Sequence, residues 1–418
     1  MKKRKTEITR RDLMKGAAVA AAASAATISI VPSSVLGGPG KAAAPSDTFG
    51  AALIGCGGRG GGTFNDLSRK HGLNIRKLAM CDVKYKNKCD NKTIYTDFRR
   101  VLERKDIDII AIATPPHWHA VISIAAMQAG KDVVCEKPMT KFIGEGRAVV
   151  NAAKRYGRIF QVGTYGRFGM ATSRGTNAMT RKLMSSGLLK KTKAVYVHRG
   201  GLKVKQWSGS VDQSSSAIPA NLDWDMYCGP SPLKPYHSRR VGGTHRGYWD
   251  YDSGGLGDMG QHKFDPINFL HGKDNTGPIS VETNAPPAHA EVAGMWGWSK
   301  LTYADGFQLV IESGEWGEPS GMKRCHPTLE ELSASDQEKI KAMPDQGPLV
   351  GFGEAVKTRK QPGGHAEAAH RTVCIMHLTN ISIRVGRKLK FDPVTEQIIG
   401  DEEANRLAYQ PMRAPWHL

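Results

Sequence analysis

The sequence predicts an α/β protein with an N-terminal doubly wound parallel sheet and a C-terminal α+β domain built on a large, open, mainly antiparallel sheet. Three observations carry this. Strand-like and helix-like segments alternate over residues 45–165, as in parallel strands joined by crossover helices. The glycine-rich run Gly55-Cys56-Gly57-Gly58-Arg59-Gly60 falls between the first strand and the first helix. After about residue 165 the alternation stops, and strands separated by loops take over through residue 418.

Residues 1–44 stand apart from both domains. Met1 to Lys15 is basic, and Thr9-Arg10-Arg11-Asp12-Leu13-Met14-Lys15 matches the twin-arginine export pattern. An Ala-rich, weakly hydrophobic stretch from Gly16 to Val31 and a small-residue region follow, the order of a cleavable signal. Cleavage is expected after Ala44 or nearer Gly37, leaving an exported, periplasmic protein. No apolar run reaches the ~18–20 residues of a membrane span. These 44 residues carry eight Lys/Arg against two Asp/Glu, so their loss lowers the formal charge from +20 to +14. What remains is spread without a Lys/Arg block or nucleic-acid motif, which argues against nucleic-acid binding. It reads as a solvated basic surface, or as one attracting an anionic substrate or the cell envelope.

The seven cysteines are irregularly spaced and contain no C-x-x-C pair, so no zinc site or other metal site is expected. Cys56, Cys81 and Cys135 lie in or beside core strands as small hydrophobes. A Cys81–Cys89 disulfide is chemically open but not expected.

In the first domain, strands are predicted at Gly50–Ile54, Ile75–Cys81, Ile107–Ala113, Asp132–Glu136 and Ile159–Gly163. Ile107–Ala113 and Asp132–Cys135 are β-branched and apolar, as strands buried on both faces should be. Helices are predicted at His119–Gly130, with Gly130 at the C-cap, and Ile143–Tyr156. Gly55, Gly57 and Gly60 let the backbone turn tightly against a pyrophosphate, which the next helix N-terminus would hold. Asp82 follows the second strand about 20 residues on, where a carboxylate would meet an adenosine ribose. That carboxylate favours NAD over NADP, whereas Arg59 could meet a 2′-phosphate.

In the second domain, strands are predicted at Thr192–Arg199, Val281–Asn284, Ser299–Tyr303, Gly306–Glu312 and Lys388–Phe391, with a long helix from His365 to Val385. An open sheet needs a cover, so self-association as a dimer or tetramer is expected. Gly200 to Gly255 is a loop-rich stretch of the kind that serves function or a partner. Residues 319–348 read as a polar insertion whose helix starts at a capping box, Thr328-Leu329-Glu330-Glu331.

Two groups of residues can carry chemistry. Glu136-Lys137-Pro138 ends the fourth strand, at the sheet edge where ligands bind. Lys137 there is either an ordinary solvated lysine or one that hydrogen-bonds a substrate oxygen, stabilises an alkoxide, or gives up its proton on burial. Asp258 and His262 are four apart in Gly254–Asp265, so one helical turn puts both on one face, with Asp265 three further on. A carboxylate beside an imidazole is an acid/base arrangement. Pro266 is expected to open a new helix there. Thr114-Pro115-Pro116-His117-Trp118-His119 forms a turn at the sheet edge, where its aromatics could pack on a cofactor or His119 could cap the next helix. Trp207, Trp224, Tyr248 and Trp249 could stack on sugar faces, and His198, Arg199 and Arg246 could bind hydroxyls or carboxylates.

Gly55/Gly57/Gly60, the Thr-Pro-Pro-His-Trp-His turn, Glu136-Lys137-Pro138, Gln161-Val162-Gly163-Thr164 and Asp258-x-Gly260-x-His262 occur in one order. In that order they resemble the Gfo/Idh/MocA family of sugar and polyol oxidoreductases, above all its exported members, over nearly the whole chain after the signal. The resemblance implies a Rossmann domain binding NAD, with NADP less favoured. It implies a catalytic trio of Lys137, Asp258 and His262. Cofactor contacts are then expected from Gly55, Gly57, Gly58, Arg59, Gly60, Asp82, Thr114, Pro115, His117, Trp118, His119, Glu136, Lys137 and Gln161. Glu136 would lie near the nicotinamide ribose. Substrate contacts are expected from Lys137, Tyr165, Arg167, Trp249, Asp258 and His262. The implied reaction is hydride transfer between nicotinamide and a secondary hydroxyl of a sugar, polyol or glycoside. Alternatives are glycoside cleavage through transient oxidation, closed cofactor cycling between two sugars, and a binding module that has lost catalysis.

Overall fold

In the computed structural model, the described residues are 47–164, 166–168, 178–188, 193–198, 211, 214–293, 297–312 and 329–418. Two six-stranded sheets organise them. The first runs in the order β3-β2-β1-β4-β5-β6, from β1 (Thr48–Ile54), β2 (Asn74–Cys81), β3 (Ile94–Tyr95), β4 (Ile109–Ile112), β5 (Asp132–Cys135) and β6 (Phe160–Val162). Its pairings are parallel, with Leu53 opposite Ala111 and Ala111 opposite Val134. β4 and β5 are buried at every position, as their unbroken apolar runs require. Crossover helices α1 (Gly60–Arg69), α2 (His119–Gln128) and α3 (Ile143–Tyr156) link the strands. Gly130, one residue past the α2 cap, takes φ +80°, and Gly157 caps α3 at φ +59°. The edge strand β3, only two residues long, was too short for periodicity to reveal.

The second sheet runs β12-β11-β8-β9-β10-β7, from β7 (Ala194–His198), β8 (Ser280–Asn284), β9 (Trp298–Thr302), β10 (Gln308–Glu312), β11 (Leu389–Asp392) and β12 (Gln397–Ile398). All its pairings are antiparallel except β7 with β10.

Two helices couple the sheets. α4 (Gly254–Leu270) carries Asp258 and His262, and α5 (Ala366–Val385) packs on α3, α4 and β8. Residues from both sheets and from α5 therefore belong to one buried cluster, which includes Ile112, Cys135, Leu301, Leu309, Val373 and Ile381. His365 caps α5 by accepting from the Ala368 amide.

Two local expectations are corrected. Pro266 does not open a new helix but lies inside α4. An internal proline costs about 3 kcal/mol or more through its missing N–H and its ring. Packing on α5 outweighs that cost, and Gly166 leaves room for the ring: a Cβ there would come within 2.7 Å of Pro266 Cγ. In the polar insertion, Leu329–Glu331 forms a short 3-10 turn, and the helix that follows, Ala334–Ala342, is capped by Ser333 instead. Thr328 lies outside the described residues.

Candidate active site

A cleft of about 550 Å³ opens at the carboxyl edge of the first sheet and reaches α4. The glycine turn forms one wall. Gly55 has φ +90°, and a Cβ there would fall 2.5 Å from the Ala113–Thr114 peptide. A Cβ on Gly60 would overlap the Gly55 carbonyl oxygen, so α1 packs directly on the turn. Gly57 and Gly58 face open space. α1 begins without a side-chain cap or an acidic residue in its first turn; the Gly60 amide donates to the Gly57 carbonyl at 2.7 Å, and the positive end of the helix suits an anion. Thr114 lines the cleft, and its buried hydroxyl has no hydrogen-bond partner. A bare backbone cradle, an uncapped helix N-terminus and an orphan hydroxyl fit a dinucleotide.

Asp82 lies on the same wall, its carboxylate accepting from the Cys56 amide at 2.7 Å and the Lys84 amide at 2.9 Å. Arg59 is pulled inward: Nε donates to Glu136 Oε1 at 3.1 Å, and Nη2 pairs with Asp66. Thr63 also donates to Glu136 Oε1, at 2.6 Å. Arg59 thus meets two carboxylates on its own domain, which weakens the case for a 2′-phosphate there. Pro115 and Trp118 complete this wall, with Trp118 Nε1 3.1 Å from the Met226 and Tyr227 carbonyls.

At the far end three elements converge. Lys137 follows β5 and makes a cis peptide to Pro138. Its Nζ donates to Asp258 Oδ1 at 2.8 Å and to the Asp258 carbonyl. Arg246, from the turn Gly242–Gly247, donates to the same Oδ1 at 2.7 Å. Burial alone would raise the Asp258 carboxyl, but Lys137 and Arg246 outweigh it and hold it below the usual carboxylate range. His262, one turn along α4, also lines the cleft. Burial, reinforced by the charge of Lys137, pushes its imidazole down to about 4, so at neutral pH it is an uncharged proton acceptor. Asp258 therefore pairs with Lys137 and Arg246, in place of the expected Asp258–His262 orientation.

Other expected contacts lie elsewhere. The Arg167 guanidinium, 1% exposed, is consumed by Asp265 at 2.6 and 2.9 Å and Asp274 at 2.8 Å, a buried structural cluster with no cleft surface. Trp249 is also outside the cleft lining, its ring under the Lys141 ammonium at 3.3 Å and beside Arg384 at 4.1 Å. His117 is buried against the Tyr227 carbonyl at 2.8 Å, and Gln161 is buried in β6; neither lines the cleft. His119 sits behind the wall as the first residue of α2. Trp224 and Tyr248 belong to a separate aromatic core. Tyr165, Trp207 and Arg199 lie outside the described residues, as does the His198 side chain. The six described cysteines, Cys81 and Cys89 among them, are free thiols. Among the described residues there is no cluster suited to a metal ion and no helix long and apolar enough to cross a membrane.

The sequence reading missed Asp252 and His245. Both line the cleft, with His245 Nε2 3.8 Å from Asp252 Oδ2. Burial pushes the Asp252 carboxyl up to about 7, and burial with Arg246 pushes His245 down to about 4. Asp252 fits because residue 257 is glycine; a Cβ there would overlap Asp252 Oδ1. His245 sits in the short 3-10 turn Gly242–Gly247 and Asp252 in the loop before α4, where no spacing rule joins them to that helix.

A parallel sheet with a glycine turn at its carboxyl edge and a cleft above it defines a dinucleotide-binding α/β architecture. Comparison with known proteins agrees. Residues 49–164 match the oxidoreductase family's NAD-binding Rossmann fold, and residues 174–418 match its C-terminal alpha/beta domain. The chain belongs to the Gfo/Idh/MocA family of NAD-binding oxidoreductases. Residues 7–27 match a twin-arginine translocation signal, which marks the chain for export.

The chain is 29% identical over 180 residues to a levoglucosan dehydrogenase of Pseudarthrobacter phenanthrenivorans, covering 43% of this chain and 36% of that protein. It is 29% identical over 164 residues to a glycosyl hydrolase family 109 protein of Solibacter usitatus, covering 35% and 36%. The matched segment thus spans about a third of the length of these curated relatives. Among solved structures, the WlbA dehydrogenase from Bordetella pertussis, in complex with NADH and UDP-GlcNAcA, shares the fold. It gives a TM-score of 0.53 at 16% identity over 82% of this chain and 99% of that one. An oxidoreductase domain protein from Kribbella flavida gives 0.53 at 19%, over 85% and 100%.

Proposed function

We propose that this exported enzyme transfers hydride between NAD and a secondary hydroxyl of a sugar, polyol or glycoside. One observation carries the proposal: Lys137 and Asp258, from two domains, meet at 2.8 Å in the cleft that the glycine turn enters, with neutral His262 beside them.

When bound, NAD supplies the hydride acceptor. His262 takes the hydroxyl proton, and its depressed pKa leaves the imidazole uncharged for that task. Lys137 donates a hydrogen bond to the same oxygen and stabilises the negative charge that builds there as the proton leaves, before hydride departure converts the alkoxide to a carbonyl. Asp258, ionised and shared with Arg246, fixes the Lys137 amine. Acid–base assistance of this kind contributes typically ~10²–10⁴-fold. Holding the two reactants together supplies much of the rest.

The likeness to family 109 glycosyl hydrolases supports a second reading, in which transient oxidation leads to cleavage of a glycosidic bond with no net redox change. The second titratable pair in the cleft, Asp252 and His245, is compatible with it.

The test is a panel of sugars and glycosides incubated with enzyme and NAD. Nicotinamide absorbance and products are followed together. Net NADH formation supports the dehydrogenase reading, and release of free sugar or aglycone without it supports cleavage. Turnover that is unchanged in both Lys137→Ala and His262→Ala removes the mechanism.

A further inference from the structure

His119 is buried to 1% exposure and lies outside the cleft, yet both of its ring nitrogens reach backbone carbonyls of the site. Nδ1 is 2.7 Å from the Pro138 carbonyl oxygen, and Nε2 is 2.8 Å from that of Thr114. These two carbonyls belong to different halves of the chemistry. Thr114 ends the run after β4 and lines the cofactor cleft. Pro138 follows Lys137 directly, so the position of its carbonyl limits where the Lys137 backbone can sit. Carbonyls only accept, so every bond here is donated by the ring. A neutral imidazole has one N–H and bonds one carbonyl at a time, whereas the protonated ring bonds both. Burial lowers the His119 pKa and the charge of Lys137 adds to this; the two carbonyls and Glu136 act the other way without restoring the ordinary imidazole value, so the neutral ring donates to one carbonyl at a time.

We propose that His119 is a positioning residue held between the Thr114 turn and the Lys137 turn, donating to one carbonyl or the other from whichever nitrogen carries the proton, so that one buried ring bears on both ends of the reaction path. It touches neither substrate nor cofactor. The proposal concerns this chain's own residues and rests on the catalytic role given to Lys137 above; its cofactor arm stands without that role.

The two contacts can be separated by substitution. In His119→Asn the side-chain amide nitrogen takes about the place of Nδ1 and keeps the Pro138 contact. In His119→Gln it takes about the place of Nε2 and keeps the Thr114 contact. Three measurements on the full-length protein decide the matter: NADH affinity by fluorescence titration, kcat on whichever sugar the panel identifies, and crystal structures of both variants. The Asn variant should weaken NADH binding by about tenfold, the upper worth of one hydrogen bond, and hold kcat within about twofold. The Gln variant should do the reverse, holding NADH affinity, lowering kcat about tenfold or more, and displacing Lys137 from its 2.8 Å contact with Asp258. If no sugar turns over, the functional reading fails, while NADH affinity and the Lys137–Asp258 distance still judge His119. Equal effects in the two variants, a lowered Tm with unchanged affinity and kcat, or loss of folding in both would overturn the proposal and assign His119 to the fold alone.

Discussion

The two ends of the cleft are made by opposite means. The cofactor end is backbone, built from six consecutive residues whose glycines leave space beside an uncapped helix N-terminus. The catalytic end is side chain: Lys137 and Asp258 are 121 residues apart and meet only because α5 packs the two sheets into one core. The first depends on residues that add nothing to the space, and the second on residues whose charges balance. Changes at the backbone end should therefore move binding, and changes at the side-chain end should move turnover.

The sharpest break in that division is Lys137→Ala. It removes the hydrogen bond proposed to reach the reacting oxygen and takes from Asp258 its Lys137 partner, leaving the contact with Arg246. Turnover is expected to fall by ~10³-fold or more, with NADH affinity held within about twofold. Steady-state kinetics with a fluorescence titration checks both halves, and a parallel loss of affinity would blur the two ends into one.

His262→Asn should cost less, about 10²-fold in kcat/KM. In the wild type, the acid limb of kcat/KM should fall with an apparent pKa near 4, where His262 gains its proton, and not near the ordinary histidine value of 6.5. The same shift carries a stability sign. The folded state binds fewer protons at this site than the unfolded state, so its contribution is lost as pH falls from 6.5 toward 4.

At the backbone end, Gly55→Ala forces a Cβ onto the Ala113–Thr114 peptide at a φ of +90°. NADH affinity should drop by about tenfold or more and Tm should fall, since strain of this kind is worth ~1–3 kcal/mol. Calorimetry and titration together test it. A variant that binds NADH normally while losing turnover would reverse the contrast.

The smallest effect concerns Asp252. Its folded pKa, raised to about 7 by burial, means that the folded state holds a proton the unfolded state releases. That contribution is present below the ordinary carboxylate range and is lost as pH rises through 7. Asp252→Asn should therefore flatten the decline of Tm between about pH 4 and pH 7. A slope equal to the wild type's would place the neutral carboxyl elsewhere.

How much of this was legible in the sequence follows the same division. The Rossmann half was read from local rules: runs of apolar residues gave β1, β4 and β5 within a residue or two, and glycine spacing gave the cradle. A strand end and a single helical turn have fixed geometry, which singled out Lys137, Asp258 and His262, and all three line the cleft; their grouping as a catalytic trio came from the resemblance. Arg167 was expected at the substrate from the resemblance alone, and Asp265, one helical turn beyond His262, binds it instead. Trp249 is engaged elsewhere in the same way, since the cations that take its ring come from α5 and from the segment after β5. Asp252 and His245 escaped because loops carry no period. Pro266 shows tertiary packing overriding a backbone rule that holds locally.

The central claim is that Lys137 acts on the oxygen from whose carbon hydride departs. It is tested most directly by rapid mixing of enzyme and NAD with a sugar carrying deuterium at the reacting carbon. The wild type should reduce nicotinamide more slowly with the deuterated sugar than with the protiated one, and Lys137→Ala should reduce it hardly at all while still binding NADH. Reduction by Lys137→Ala at the wild-type rate would contradict the account.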